Sequence, residues 1–91
     1  MKKKTANATI SYDPIMIGEK AEICFSKVTT ANAVTIYGRI VKEGEDAGSI
    51  SYDSRGNYLN CSLKPYGLLT ENEVMSVYSQ VPGCIKEMLE E

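Results

Sequence analysis

The chain predicts an α+β fold: an antiparallel β-sheet of four or five strands followed by one or two short C-terminal helices. Three observations carry that expectation. Ala33–Pro65 reads as three strands in a row, with β-branched and aromatic residues alternating with small or polar ones between two turns. Lys64-Pro65-Tyr66-Gly67 then ends the sheet, because proline withdraws a ladder donor and glycine frees the backbone to turn. Beyond it the apolar residues switch to helical spacing behind an N-terminal capping sequence.

The first strand is Ala8-Thr9-Ile10-Ser11-Tyr12, whose ladder Pro14 interrupts and Ile15-Met16-Ile17 resumes. Gly18-Glu19 turns into Lys20–Val28, where Ala21, Ile23 and Phe25 share one face and Glu22, Cys24 and Ser26 the other, the pattern of a strand with one wet face. Thr29-Thr30-Ala31-Asn32 makes the next reversal. In Ala33–Val41, Val34, Ile36 and Ile40 fall on one face with Gly38 between them, marking a bulge or a close backbone approach.

The turn Glu43-Gly44-Glu45-Asp46 leads to Gly48–Tyr52, where Ile50 and Tyr52 alternate with Ser49 and Ser51. A second turn, Asp53-Ser54-Arg55-Gly56-Asn57, supplies a residue able to take positive φ near Ser54-Arg55-Gly56. Tyr58–Leu63 returns with Leu59, Cys61 and Leu63 in the opposite alternation. In the helical part, the Thr70 hydroxyl can accept from the Glu73 amide while the Glu73 carboxylate reaches back to the Thr70 amide. Val74, Val77, Tyr78 and Val81 form its apolar face. Pro82 opens a second piece, Gly83–Glu90, with Ile85, Met88 and Leu89 on its apolar side, so two short helices are expected.

Ninety-one residues, 43% of them hydrophobic, make one domain over 1–91, since so short a chain cannot support two cores. Met1–Asn7 is expected to be a mobile polar terminus. A net charge of −2 is not that of a protein built on a basic nucleic-acid surface. Cys24, Cys61 and Cys84 are odd in number and far apart, so they form neither a disulfide framework nor a zinc-ligand spacing, and they read as apolar fillers in a reducing cytoplasm. Lys2-Lys3-Lys4 is not followed by the apolar stretch of an export signal, and no apolar run approaches the roughly 20 residues of a membrane helix.

The absence of histidine removes Ser/His and Cys/His nucleophile activation and the commonest general base and metal ligand. The carboxylates cluster in a turn, at Glu43, Glu45 and Asp46, and at the C-terminal end, at Glu87, Glu90 and Glu91, where solvation keeps such groups ordinary. With no phosphate or calcium loop, neither an enzyme nor a cofactor, metal or small-molecule substrate is expected. Two other classes remain. Cations at Lys2, Lys3, Lys4, Arg39, Lys42, Arg55 and Lys64, interleaved with Tyr37, Tyr52, Tyr58 and Tyr66, are groups that can contact phosphates and stack on bases. A small sheet also exposes edges that pair with a partner or a second copy, and Val34–Val41 is the strongest such strand if it lies at an edge.

From Lys20 to Tyr78 the order of features resembles the SpoVG septation-regulator family, small bacterial proteins with a β-rich N-terminal part, C-terminal helical elements and a dimer-forming habit. The matching residues are Val34–Val41, Glu43-Gly44, Gly48-Ser49-Ile50, Ser54, Gly56-Asn57-Tyr58, Asn60, Pro65 and Thr70-Glu71. That family's hairpin loop is longer and more basic, carries proline and is followed by an arginine after the aromatic; here the loop keeps Arg55, and Leu59 stands after Tyr58. The resemblance implies a non-enzymatic regulator that binds nucleic acid and forms a homodimer. It carries over Arg55 and Lys64 as phosphate contacts, and Lys2, Lys3 and Lys4 join them as an auxiliary arm. The alternative is a protein-interaction module working through a sheet edge without nucleic acid.

Overall fold

The computed structural model describes residues 3–6, 9–64 and 68–91. Within them the elements are β1 (Lys3–Ala6), β2 (Thr9–Tyr12), β3 (Ile15–Met16), β4 (Ala21–Thr29), β5 (Val34–Lys42), β6 (Glu45–Asp53), β7 (Tyr58–Leu63) and α1 (Glu71–Leu89). All strand pairings are antiparallel, and the sheet runs β1-β2-β4-β5-β6-β7. β3 pairs with β4 on the side that β2 also occupies, so Pro14 splits one ladder into two short pieces, as its missing donor requires. The α+β class holds, with more strands than the four or five expected.

Register makes one face of this sheet apolar. Across four strands Phe25 stands opposite Gly38, Gly38 opposite Ile50 and Ile50 opposite Cys61. Ile23, Phe25, Ile36, Ile40 and Ile50 are all buried on this face. Gly38 is there because the Phe25 ring lies over it: a Cβ would sit 2.9 Å from a Phe25 ring carbon and 3.1 Å from the Ile50 Cβ. The bulge falls elsewhere in the same hairpin, at Ile40/Val41, where Ala47 is the extra, buried residue.

The helix α1 covers this face. Thr70 caps it as the sequence predicts, with both hydrogen bonds of the capping box formed, and Val77, Val81, Ile85 and Met88 make its buried stripe. Two lysines of the sheet pin its ends. At the start, Lys42 Nζ donates to Glu73 Oε1 at 2.8 Å, and at the finish Lys27 Nζ donates to the Met88 carbonyl at 2.8 Å. Lys42 lies opposite Ala21, six residues from Lys27 along β4, a span of about 20 Å at strand rise. From Glu73 to Met88 the helix advances about 22 Å, so α1 lies along β4 with an anchor at each end.

Several expectations need correction. The C-terminal segment is one helix, with Pro82 inside it. Pro82 and Gly83 are exposed, while Val81 and Ile85 continue the buried stripe past them, so packing offsets the roughly 3 kcal/mol that an interior proline costs. Tyr78 is more than half exposed and lies outside the buried stripe. The acidic turn shrinks to Glu43-Gly44, both at positive φ as a two-residue hairpin requires, and Glu45 and Asp46 already belong to β6. In the second turn Asn57, not a residue of Ser54-Arg55-Gly56, takes positive φ, and its Oδ1 accepts from the Tyr52 hydroxyl at 2.7 Å. Lys3–Ala6, expected within a mobile terminus, forms β1 and pairs with β2. Finally, Val34–Lys42 is no edge: it is paired on both sides, by β4 and β6.

Candidate partner-binding edge

Among the described residues the sheet ends in β1 on one side and in β7 on the other, and the two differ in kind. β1 carries Lys3 and Lys4, and its register with β2 shifts between Lys3 and Thr5. Edge lysines and irregular pairing are devices that discourage a further strand from adding. β7, Tyr-Leu-Asn-Cys-Ser-Leu, has no charge, no proline and no register shift over its six residues. Among the described residues it pairs with β6 alone, which leaves its other side with unpaired backbone donors and acceptors.

Beside β7 on the helix face lies a groove of about 420 Å³, lined by Tyr52, Asn57, Leu59, Pro82, Ile85, Lys86, Leu89 and Glu90. Its floor is apolar because Leu59 is opposite Tyr52 and shares the face that α1 covers further in. Leu59 and Leu89 remain 40% and 39% exposed at its rim. An extended segment added to β7 would place alternate side chains on this face, beside the groove, and the rest on the open face.

The open face of the sheet is polar. Ser26, Tyr37, Ser51 and Asn60 form one row across β4 to β7, and Cys24, Arg39, Ser49 and Ser62 the next. Tyr37 and Tyr58 are more than half exposed on it. Cys24 is exposed here too, unlike the apolar filler expected; Cys61 and Cys84 are half-buried, and burial pushes both thiols above their usual pKa.

The cations expected to contact phosphate are not gathered in one place. Arg55, at the hairpin tip, is clamped by Asp53: its guanidinium meets both carboxylate oxygens, at 3.1 and 2.7 Å, and its backbone N–H donates to Oδ1 at 2.9 Å. That clamp holds the Asp53 carboxyl down to about 2, chiefly through the guanidinium and then the backbone amide. Lys64 stands at the other end of β7, roughly 20 Å away at strand rise, with Nζ 3.4 Å from Asp46 Oδ2. The Gly48 amide, and after it Lys64, draw the Asp46 carboxyl below its usual range. Lys3 and Lys4 sit on the opposite edge strand, and Lys2, with Tyr66, lies outside the described residues.

Among the described residues no cluster of three or more Cys, Asp or Glu side chains is arranged to hold a metal, and no buried side-chain nitrogen or oxygen lacks a partner. Among the described residues no helix is long and apolar enough to cross a membrane. Compared with known proteins, the chain matches no family model, no curated protein and no solved structure.

Two features of this margin escaped the sequence. Leu59 was legible as a helix-face residue, yet its exposure depends on where α1 lies. Pro82 and Leu89 join Leu59 at the groove only because the helix runs unbroken through Pro82.

Proposed function

We propose that this chain is a non-enzymatic regulatory module that works by protein association, docking an extended strand on β7. The observation that supports it is the contrast between the edges: β1 carries lysines and a register shift, whereas β7 is regular, uncharged and flanked by an apolar groove. Its three unbridged thiols go with a cytoplasmic location in the same proposal. The test is an NMR titration of the labelled protein with a synthetic eight-residue peptide of alternating leucine and serine. Shifts confined to the amides of Tyr58–Leu63 and to the groove residues are expected. Shifts at β1, or none at millimolar peptide, would overturn the proposal.

A second function, binding single-stranded nucleic acid, is favoured by Tyr37 and Tyr58, which stand exposed on the open face with Arg39 near Tyr37 on the same strand. This is the activity that the resemblance to the SpoVG family implies. For Arg55 and Lys64 to serve it, they must exchange Asp53 and Asp46 for phosphates. Affinity should then fall steeply as salt rises and drop further in Arg55→Ala and Lys64→Ala. Absence of binding at low salt would remove this function; binding indifferent to both substitutions would move it to the tyrosine face.

A further inference from the structure

Helix α1 carries a second apolar line besides the stripe it buries. Met75, Tyr78, Pro82, Ile85 and Leu89 recur at alternating intervals of three and four residues, the spacing by which one helix seats against another. At about 100° per residue this line lies to one side of Val77, Val81 and Met88. Met75 and Tyr78 are 59% and 53% exposed and Leu89 39%, whereas Ile85, where the two lines meet, is buried. The other flank of the helix is already engaged: Gln80 donates to the Met16 carbonyl at 3.3 Å, and the Tyr12 hydroxyl donates to Glu91 at 2.7 Å. Tyr12 and Met16 belong to β2 and β3, so the exposed line faces the β7 side, where Pro82, Ile85 and Leu89 line the groove with Leu59.

An occupant of this margin must meet the flank of a helix on one side and Leu59, Cys61 and Leu63 of β7 beneath it. An extended segment raised above the sheet would leave its own backbone donors and acceptors without partners, whereas an α-helix satisfies them internally. Helices pack about 8–10 Å apart, and β6 is two strands, about 10 Å, from β4. A second helix beside α1 therefore lies over β6, with β7 along its outer side.

The charges beside the line give that helix a polarity. Glu71 is in the first turn of α1 and Lys86 in the last; both are exposed, and neither forms an ion pair among the described residues. Glu90, also at the groove, follows the end of the line as the C-cap residue. An antiparallel helix with carboxylates in its first turn and cations in its last meets Lys86 with the former and Glu71 with the latter, and the same charges suit its own dipole. The α1 of a second copy does not fit. It brings a sheet that extends past it on the same flank, and with the helices about 10 Å apart those strands would fall in the space of β6 and β7.

We infer that a partner protein lays an amphipathic helix of about four turns along Met75, Tyr78, Pro82 and Leu89, antiparallel to α1 and over the margin of β6 and β7. This goes beyond strand docking: the helix rests on the face of the sheet and leaves the outer edge of β7 to a strand.

The experiment titrates the labelled full chain with a synthetic helix of about eighteen residues, with leucine at the heptad core positions, glutamate in its first turn, lysine in its last and alanine and glutamine elsewhere. Amide shifts along Met75–Leu89 and at Leu59 and Cys61 are expected. Tyr78→Lys should weaken binding by about tenfold or more, because it puts an ammonium into the apolar line. The tyrosine is 53% exposed, so the variant should keep its fold, verified by circular dichroism. Lys86→Glu should weaken binding by about threefold, and a peptide with lysine in its first turn should recover the loss.

No shift at millimolar peptide would overturn the helix as occupant, as would binding that Tyr78→Lys leaves intact; binding indifferent to Lys86→Glu would overturn its polarity. A free chain whose mass in light scattering doubles, and returns to 10.0 kDa in Tyr78→Lys, would give the line to a second copy and overturn the partner helix too. Strand docking fails separately. A chain that binds the helical peptide and ignores the alternating one keeps this site and loses the strand on β7.

Discussion

Along the row Lys27, Ile36, Tyr52 and Leu59, which crosses the sheet from β4 to β7 on the helix face, exposure runs 5%, 0%, 8% and then 40%. The same face is thus closed over β4 and β5 and open at β7. The cause is width. Six strands on the sheet path span about 24 Å at ordinary spacing, whereas one helix with its side chains is about 10–12 Å across. A single helix can seal only part of that face, and here it is anchored along β4 by Lys42 and Lys27. Stability resides under α1, and the uncovered margin is where the chain has surface to offer a partner.

Substitutions should therefore have unequal effects on the two sides. The largest belongs to the closed half: Ile36→Ala should cost about 3–4 kcal/mol in urea unfolding, because a fully buried isoleucine leaves a cavity that the paired strands cannot collapse. A loss below about 1 kcal/mol would mean that the region under α1 is no better packed than the margin.

Next comes the anchor at the helix C-terminus. Lys27→Ala should cost about 2–3 kcal/mol, since it strips a buried ammonium from the Met88 carbonyl and leaves that acceptor without its donor. The N-terminal end should be milder. Thr70→Ala, which removes half of the capping box, should cost about 1 kcal/mol by the same urea measurement.

The N-terminal anchor also sets a pH dependence. Lys42 and, after it, the Thr70 amide hold the Glu73 carboxyl below its usual pKa. A depressed folded value means that the unfolded chain binds more protons in acid. The stabilisation is then present above the unfolded carboxylate value and is lost as pH falls through the folded one. Stability should decline from about pH 5 downward, where ordinary glutamates begin to protonate. Lys42→Met should bring the folded value closer to the unfolded one, so that the acid loss of stability becomes smaller and is complete at a higher pH, measured by urea unfolding across the acid range. An acid loss of unchanged size would show that Glu73 is held by the cap alone. In alkali the sign reverses: burial and the Glu91 carboxylate raise the Tyr12 phenol, so stability falls as pH climbs past about 10, where an unfolded tyrosine ionises.

The closed half was the more legible of the two in sequence. Ala21, Ile23, Phe25, Ile36, Ile40 and Ile50 announce their face by alternation, Tyr58–Leu63 has the bounds expected, and Thr70 and Glu73 form the cap their spacing predicts. Lys27 could have been found: its parity with Ala21, Ile23 and Phe25 puts it on the buried face, where a lysine needs an acceptor. The margin was less legible because its properties depend on pairing order and coverage. Nothing local to Val34–Lys42 says that it is interior, and nothing local to Leu59 says that the helix stops short of it. Pro82 shows the same limit, since its local preference for a helix start yields to a stripe of buried residues on both sides.

The smallest effect on stability should accompany the most specific effect on association, and Leu59→Ser tests both. The leucine is 40% exposed, so truncating it removes only part of the roughly 1.5–3 kcal/mol that full burial of such a side chain provides. At micromolar protein, urea unfolding should shift by less than about 1 kcal/mol, well under the cost of Ile36→Ala on the same face. Any association through β7 should nevertheless weaken, because Leu59 is at the rim where an added strand must pack. Hydrogen exchange reads the two together: amides of β4 and β5 should keep their protection in the variant, while amides of β7 lose whatever protection high concentration confers on the parent chain. Loss of protection throughout the sheet would place Leu59 in the core and erase the distinction between the closed half and the margin.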